Sequence, residues 1–402
     1  MKFKNLNLKY AAVNAAYLMM LCATAGYAYN FLSQIGFADG TVGIIIAAIS
    51  ICGVIGQTVS GSLIDKSEKL DERTFISLSM IVTIVLSGLL ILYKGQSFLT
   101  ILLVVICFTS AAIGMPFLNS MAFIYEQEGQ TINYGLGRGV GSAAYAVGSA
   151  ILGRLWSWGG KDILPIYILV LACLVLLSVR MMPAVGKQTS GSDGGEPVSQ
   201  ISYGAFFQKY SRIILVVVSL ILLYFCHMLI NTYMAKVIAN VIGDEAAAVP
   251  GAVEGIQGTA LFIQAMVELP TMFGFVFLLK KFSVNRLLII SAIVYSIKHI
   301  MILLCPNVPM LYASMVLQMF SYAVIVPAAV YFSNENVAAE DRNKGQAVMG
   351  VTATVGGLLA SLIGGQLFQY MSTSAVLTIG VAASCIGTVL MIIGIRNAEK
   401  KA

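Results

Sequence analysis

Residues 74–93 read TFISLSMIVTIVLSGLLILY and contain no charged side chain. A helix of about 20 apolar residues is long enough to cross the hydrocarbon core of a bilayer. The same bias extends over all 402 residues, of which 58% are hydrophobic and 10% charged, against roughly 45–50% and 25% in soluble domains. The composition therefore excludes soluble enzymes, nucleic-acid-binding proteins and disordered scaffolds, and it predicts a polytopic membrane protein.

Apolar stretches of similar length recur along the chain. At about 33 residues for a span and its loop, the chain has room for about twelve spans, and turn signals such as Ala38-Asp39-Gly40 separate several of them. We therefore predict an all-α membrane protein of twelve transmembrane helices. We place these helices near residues 10–32, 41–64, 74–93, 98–124, 135–157, 163–182, 213–240, 256–279, 286–305, 310–333, 345–368 and 375–395.

The basic residues predict the orientation, because Lys and Arg resist translocation across the membrane. With the N-terminus inside, most Lys and Arg residues fall on the cytoplasmic side, and only Lys94, Arg154, Lys161 and Lys236 fall on the outer side. Both termini are therefore expected in the cytoplasm, with the protein in the plasma or inner membrane. The net charge of +6 then reflects topology and gives no indication of nucleic-acid binding.

A polar, Gly/Ser-rich stretch separates the first six predicted helices from the last six. The predicted organisation is an N-terminal six-helix bundle at 1–182, a cytoplasmic linker at 183–212 and a C-terminal six-helix bundle at 213–402. Gly61 and Arg73 recur at a constant offset as Gly274 and Arg286, which indicates an internal duplication. Duplicated bundles of this kind are typical of alternating-access carriers, with the substrate near the midplane.

Four local patches carry a resemblance to a known family. They are the segment GSLIDK beginning at Gly61, the run GIIIAAIS at Gly43–Ser50, the glycine-rich segment Asn133–Gly153 and the tripeptide Glu268-Leu269-Pro270. The chain resembles the major facilitator superfamily, and within it the lactose permease group with its oligosaccharide, nucleoside and phenylpropionate proton symporters. The resemblance implies two six-helix bundles and secondary transport of a small molecule.

The chain also departs from that group at functional positions. Met121 stands where the resemblance implies a substrate-binding carboxylate, and Gln318 and Ser321 stand where it implies the histidine and glutamate of the proton machinery. Lys298 occupies the position of an arginine in helix 9. Lactose itself is therefore not expected as the substrate, and the coupling chemistry is expected to be simpler or different.

Glu268 is the first candidate for proton coupling. Of the 18 acidic residues, it alone falls well inside a predicted helix, where an ionised and unpaired carboxylate is costly. Lys298 also lies deep in a predicted helix, and His227 titrates near physiological pH in its ordinary state. We interpret these three as proton-coupling residues. The alternative is a structural ion pair between Glu268 and Lys298.

Arg138 and Tyr145 are the leading candidates for substrate contact. They lie seven residues apart on one helical face, and the resemblance implies a sugar-binding arginine and a stacking aromatic at these positions. The alternative for Arg138 is an anchor at the inner interface, and for neutral polar residues it is interhelical hydrogen bonding. The remaining substrate-binding candidates are neutral polar or aromatic residues of several helices: Asn14, Tyr17, Asn119, Asn231 and Gln318.

Three residues at predicted cytoplasmic helix ends are candidates for gating. The resemblance implies that Asp65, in the motif beginning at Gly61, stabilises one state of the carrier through neighbouring helix ends. Arg342 begins helix 11 and places a cation at the same membrane level.

The leading function is a proton-coupled importer of a small polar solute, with a sugar or glycoside ranked first. Nucleoside or aromatic-acid symport and export of amphipathic compounds are the alternatives. An integral membrane enzyme is not expected, because one membrane carboxylate and two separate histidines form no catalytic set, and a receptor or channel is disfavoured by the duplication. We expect no cofactor and no metal, and a monomer whose partners are a small-molecule substrate, protons and the lipid bilayer.

Overall fold

The computed structural model describes residues 5–67, 70–127, 129–130, 132–183 and 201–399. All regular elements of these residues are helical, which confirms the predicted fold class. Most of the predicted linker, at 184–200, and both chain ends lie outside the described residues. The α-helices are α1 (Leu6–Gly26), α2 (Ala28–Ile35), α3 (Asp39–Lys66), α4 (Glu72–Leu92), α5 (Phe98–Ile113), α6 (Met115–Gln127), α7 (Tyr134–Gly159), α8 (Ile163–Met181), α9 (Tyr203–Lys209), α10 (Ile214–Thr232), α11 (Met234–Ile242), α12 (Asp244–Ala247), α13 (Ala252–Lys281), α14 (Val284–Leu303), α15 (Val308–Val316), α16 (Tyr322–Asn336), α17 (Arg342–Tyr370) and α18 (Thr373–Glu399).

Eleven stretches of the described chain are long and apolar enough to cross a membrane. One of them, Tyr134–Met181, is 48 residues long and comprises α7 and α8, joined by the 3-10 turn Gly160–Asp162. Since about 20 residues suffice for one crossing, this stretch holds two spans. The eleven stretches therefore correspond to the twelve helices predicted from hydropathy.

Several membrane helices are interrupted rather than continuous. α1 ends at Gly26 before α2, and α10 ends at Thr232 before α11. α5 ends before Gly114, and α15 is separated from α16 by the 3-10 turn Leu317–Met319. The first and the fourth helix of each predicted half are thus broken at corresponding places. Interrupted helices in carriers expose backbone and side-chain groups at the membrane midplane.

The helices pack into two compact units. Unit 1 comprises the described residues of 1–189 together with 243–266, and unit 2 those of 190–242 and 267–402. In unit 1, α1 packs on α7 and α8, and α4 packs on α8. In unit 2, α10 packs on α17 and α18, and α14 packs on α18. The same helix pairings recur within each unit, as an internal duplication requires.

Glycines permit the closest of these helix crossings. A Cβ at Gly141 would lie 2.5 Å from Leu18 Cδ1 and 3.2 Å from the carbonyl oxygen of Asn14, both in α1. A Cβ at Gly356 of α17 would lie 2.9 Å from the amide nitrogen of Phe225 in α10. Small residues let helix backbones approach closely in membranes, so the glycine-rich start of α7 serves packing.

The helix α9 is fastened to unit 2 by a buried carboxylate. Lys209 Nζ lies 2.7 Å from Asp341 Oδ2, and the Tyr210 hydroxyl donates to the same oxygen at 2.8 Å. The hydrogen bond of Lys209 with Asp341, and after it the one with the Tyr210 hydroxyl, raise the pKa of Lys209 above its ordinary value. Lys209 therefore stays protonated at neutral pH, and the chain entering α10 is fixed to the turn before α17.

We predict that Gly141→Leu lowers the thermal stability of the purified protein in detergent. The added side chain meets α1 backbone, which cannot move aside, and overpacking of this kind typically costs about 1–3 kcal/mol. Gly350→Leu in α17 is the matched control, because nothing lies within 4 Å of a Cβ there. Thermal unfolding followed by intrinsic fluorescence measures both. Equal unfolding temperatures for the two variants would contradict the prediction.

Candidate functional site

A buried amide joins the membrane carboxylate to the membrane lysine in unit 2. Gln318 Nε2 donates to Glu268 Oε1 at 2.8 Å, and Gln318 Oε1 accepts a hydrogen bond from Lys298 Nζ. Lys298 is 1% exposed and Gln318 is fully buried, while Glu268 is partly exposed. The predicted pair of Glu268 and Lys298 is therefore brought together, but through a third residue.

Local chain geometry places these three side chains. Glu268 lies in α13, two residues before Pro270, which removes one backbone hydrogen bond from that helix. Gln318 lies in the 3-10 turn that interrupts the helix between α15 and α16. Mid-helix 3-10 turns often mark functional positions. Lys298 comes from the middle of the uninterrupted helix α14, so one regular helix and two distorted segments build the site.

The arrangement suits a group that changes its charge. The two halves of the Gln318 amide have opposite polarity, with the nitrogen facing the carboxylate and the oxygen facing the amine. Both contacts are strongest when Glu268 and Lys298 are charged, and burial opposes the charged forms. Among the described residues, no three His, Cys, Asp or Glu side chains come together as metal ligands. The groups of the site can form hydrogen bonds and ion pairs, and a carboxyl group such as that of Glu268 can exchange a proton.

In unit 2, tyrosine and histidine rings form a cluster around His227. Its ring stacks on Tyr322 at a centroid distance of 5.2 Å and lies at the same distance from the Tyr295 ring. Asn231 Nδ2 is 2.8 Å from His227 Nε2, and the His299 ring is 6.3 Å from that of His227. The cluster presents flat apolar faces together with amide and imidazole groups.

Three buried polar atoms of this cluster have no hydrogen-bond partner among the described residues. They are Asn231 Oδ1, the Tyr295 hydroxyl and His299 Nε2. Buried polar groups are nearly always hydrogen-bonded in proteins. Unpartnered atoms beside stacked rings are what a polar ligand with a flat face would satisfy.

The unit 1 candidates differ in their exposure and in their contacts. The guanidinium of Arg138 is partly exposed, with Nη1 4.0 Å from Met115 Sδ, and Asn119 Oδ1 is buried without a partner. Tyr145 is partly exposed. The Tyr17 hydroxyl, in contrast, donates to the Ala111 carbonyl at 2.7 Å, and Asn14 Nδ2 donates to the Tyr10 carbonyl at 2.9 Å. The first bond joins α1 to α5, and the second lies within α1.

The three gating candidates lie at helix ends within their own units. Gly61 and Asp65 belong to the last two turns of α3, and the Asp65 side chain is exposed. Arg342 is the first residue of α17 and is also exposed. Their proposed role in gating stays a prediction.

Sequence reasoning missed a buried carboxylate in the same helix as Glu268, namely Glu254. The predicted start of the eighth helix at 256 is wrong by four residues, because α13 begins at Ala252. Glu254 is 4% exposed and accepts hydrogen bonds from Asn30 and Gln34 of α2. The dipeptide Pro250-Gly251 is a turn signal and would have placed the helix start correctly. Only the structure shows that this first turn is buried.

The fold is that of solved membrane transporters. The crystal structure of the D323A mutant of the nucleoside transporter NupG superposes with a TM-score of 0.80 at 12% identity, covering 97% of this chain and 100% of that chain. A bacterial homologue of the iron transporter ferroportin, in an inward-facing state, gives 0.69 at 12% identity, covering 98% and 100%. A bacterial homologue of the human lysosomal transporter Spinster gives 0.66 at 14% identity, covering 98% and 97%.

At these identities the likeness concerns the fold alone. No curated protein sequence matches the chain. The model of the MFS_1 like family, in contrast, matches residues 10–378, nearly the whole length. The chain therefore belongs to the MFS_1 like family and is a multi-pass membrane transporter of the major facilitator superfamily.

Proposed function

We propose that the chain is a proton-coupled symporter that imports a small polar solute across the cell membrane by alternating access, acting as a monomer. The observation that carries the proposal is the buried link from Glu268 through Gln318 to Lys298. An ionisable residue inside a membrane is expensive and usually functional. Here the carboxylate of Glu268 bonds directly to the neutral amide of Gln318, and the cation of Lys298 lies behind that amide. Gain of a proton by Glu268 would change the net charge of this group of three by one unit.

In this mechanism Glu268 takes up the proton and Lys298 keeps the site from becoming strongly negative when the proton leaves. Protonation of Glu268 removes the negative charge that the Gln318 amide faces. This change alters the hydrogen bond between Gln318 and Lys298. We propose that His227, beside this group, contributes hydrogen bonds to the solute or the proton path. Of the coupling candidates, Glu268 carries the proton itself.

A sugar or glycoside ranks first among substrates. Arg138 and Tyr145 in unit 1 offer a fork of donors and an aromatic face, which suit hydroxyl groups and the apolar side of a sugar ring. Asn119 in unit 1 and Asn231 in unit 2 add amide oxygens without partners. These two amide groups are neutral hydrogen-bonding partners.

A nucleoside is the second candidate. The observation that favours it is the stacked pair of His227 and Tyr322 in unit 2, since planar bases stack well on aromatic rings. The structural neighbour NupG is a nucleoside transporter, but its identity of 12% carries the fold and not the substrate. Symport of aromatic acids and export of amphipathic compounds follow behind.

The proposal is tested by uptake into proteoliposomes. Labelled sugars, nucleosides and phenylpropionate are presented one class at a time, with and without an inward proton gradient. A sugar or glycoside that accumulates only with the gradient supports the first ranking, and a nucleoside that does so supports the second. Gradient-driven efflux of an amphipathic compound without uptake of any of the three classes would overturn import.

We predict that Glu268→Gln abolishes accumulation driven by a proton gradient but retains exchange of labelled for unlabelled solute. The amide still pairs with Gln318 but binds no proton, so binding and reorientation continue without coupling. Uptake under an imposed gradient and counterflow without one measure the two activities. Glu245→Gln, at an exposed position in α12, is the control and keeps both. Accumulation with unchanged pH dependence in Glu268→Gln would refute the role of Glu268.

We also predict that Lys298→Met is more harmful to stability alone than in combination with Glu268→Gln. The single variant leaves a carboxylate without its cation, whereas the double variant leaves only neutral groups. Coupling between residues of one network is typically about 0.5–3 kcal/mol. Thermal unfolding of the wild type, both single variants and the double variant measures this coupling. Additive effects of the two substitutions would show that the residues are independent.

A further inference from the structure

We propose that Glu254 is a positioning residue for transport. With Asn30, Gln34 and Gln257 it forms a carboxylate latch, which fastens the first turns of α13 onto α2 within unit 1. Opening of this latch is a step of the transport cycle. The role in the cycle rests on the proposed transport function, whereas the latch itself rests on the contacts of unit 1.

The latch is a closed set of hydrogen bonds between two helices. Glu254 Oε1 accepts from Gln34 Nε2 at 2.8 Å and from Asn30 Nδ2 at 3.1 Å. Gln257, one turn further along α13, accepts from the same Asn30 nitrogen at 3.0 Å and donates to the Gly26 carbonyl. Asn30 therefore bridges two residues of α13, and the end of α1 is tied to the same group.

The backbone of α13 lies directly against α7 beside the latch. A Cβ at Gly153 of α7 would collide with the Glu254 carbonyl oxygen, and one at Gly258 of α13 would collide with the Ser149 carbonyl oxygen. Gly251, just before α13, has a φ of +77° and would place a Cβ 2.5 Å from Ser157 Cα. These three glycines thus let the backbones of α7 and the start of α13 touch directly. Glu254 lies at this contact and bonds to α2.

A tryptophan covers the latch and reports its state. Trp156 is 1% exposed, and its Nε1 donates to Gln34 Oε1 at 3.1 Å. Its ring stacks on Tyr27 at a centroid distance of 5.6 Å, and the Tyr27 hydroxyl donates to the Ser149 carbonyl. Lys161 Nζ donates to the backbone carbonyl of Gln34 at 2.9 Å. Separation of α13 from α2 removes the Glu254 acceptor of Gln34 and admits water to Trp156.

The charge of Glu254 makes the latch reversible. Its hydrogen-bond partners are neutral amides, and the ion pairs of the described residues lie elsewhere, at Lys94–Asp162 and around Lys209. A buried carboxylate loses its hydration, and hydrogen bonds to a charged group offset part of that loss. Opening restores the hydration while it breaks the hydrogen bonds. Opening thus exchanges hydrogen bonds for hydration, unlike the separation of two apolar surfaces.

The test uses Trp156 as an internal probe in the full-length protein. The chain has two tryptophans, and Trp158 is 86% exposed. Trp158→Phe leaves Trp156 alone as the reporter, and Trp156→Phe leaves Trp158 as the reference for an exposed ring. Acrylamide quenching of the purified protein then measures how often water reaches the latch.

Two substitutions of Glu254 have different expected effects on quenching. Glu254→Ala removes the acceptor of two amides, so quenching of Trp156 rises towards the exposed reference. Glu254→Gln keeps an acceptor but gains no carboxylate hydration on opening, so quenching stays at or below the parent value. Asn30→Ala removes the bridge from the other side and raises quenching as Glu254→Ala does. Glu245→Gln, exposed on α12, leaves quenching unchanged.

Transport measurements separate a positioning role from a purely structural one. Glu254→Gln lowers the maximal rate of solute exchange with little change in the half-saturating concentration, since opening is slowed and solute contacts remain. Glu254→Asp restores part of the rate because it restores the carboxylate. Unchanged quenching in Glu254→Ala, or equal increases in Glu254→Ala and Glu254→Gln, would overturn the latch. A full exchange rate in Glu254→Gln would overturn its role in the cycle.

Failure of the latch is distinguishable from failure of the proposed function. Glu268→Gln in the Trp158→Phe background keeps the quenching of the parent, because Glu268 is not part of unit 1. Its proton-driven accumulation tests the function independently of Trp156. A change of Trp156 quenching in Glu268→Gln would contradict a latch that acts within unit 1.

Discussion

Inside a bilayer, a charged side chain has to find compensation within the protein, and this constraint shapes both polar sites of the molecule. A charged residue at the centre of a membrane helix costs about 2.5–3.5 kcal/mol on insertion scales. A hydrogen bond to a charged group returns about 1.5–3 kcal/mol. At Glu268, Gln318 supplies one such bond and relays Lys298 behind it, which offsets part of that cost.

The carboxylates of Glu268 and Glu254, both in α13, meet this constraint with different partners. Glu268 is compensated by an amide and a cation, so loss or gain of its proton changes a charged network. Glu254 is compensated by the amides of Asn30 and Gln34, so its stability depends on the approach of α2 to α13. The first arrangement suits binding of a proton, and the second suits a contact that opens and closes.

Patterns that depend on local composition were predictable from the sequence. Hydropathy located the membrane helices, and the rarity of charge within them singled out Glu268 and Lys298. The bridge through Gln318 was not predictable, because it joins residues 20 and 50 positions apart on separate helices. Glu254 was missed because its burial depends on α2 and α7, more than two hundred positions away in the case of α2.

The compensation of Glu268 also bears on which solute the transporter accepts. Because Lys298 is already engaged by the Gln318 amide, an anionic solute would have to compete with an existing partner for that cation. In the ring cluster around His227, the buried atoms that lack partners among the described residues are an amide oxygen, a phenol and an imidazole nitrogen, and they lie beside the flat faces of His227 and Tyr322. Such groups favour a solute that forms neutral hydrogen bonds and stacks on the rings. A sugar or a nucleoside offers both without a charge, whereas an aromatic acid stacks its ring but adds an anion that must compete with Gln318 for Lys298, so we propose it behind them.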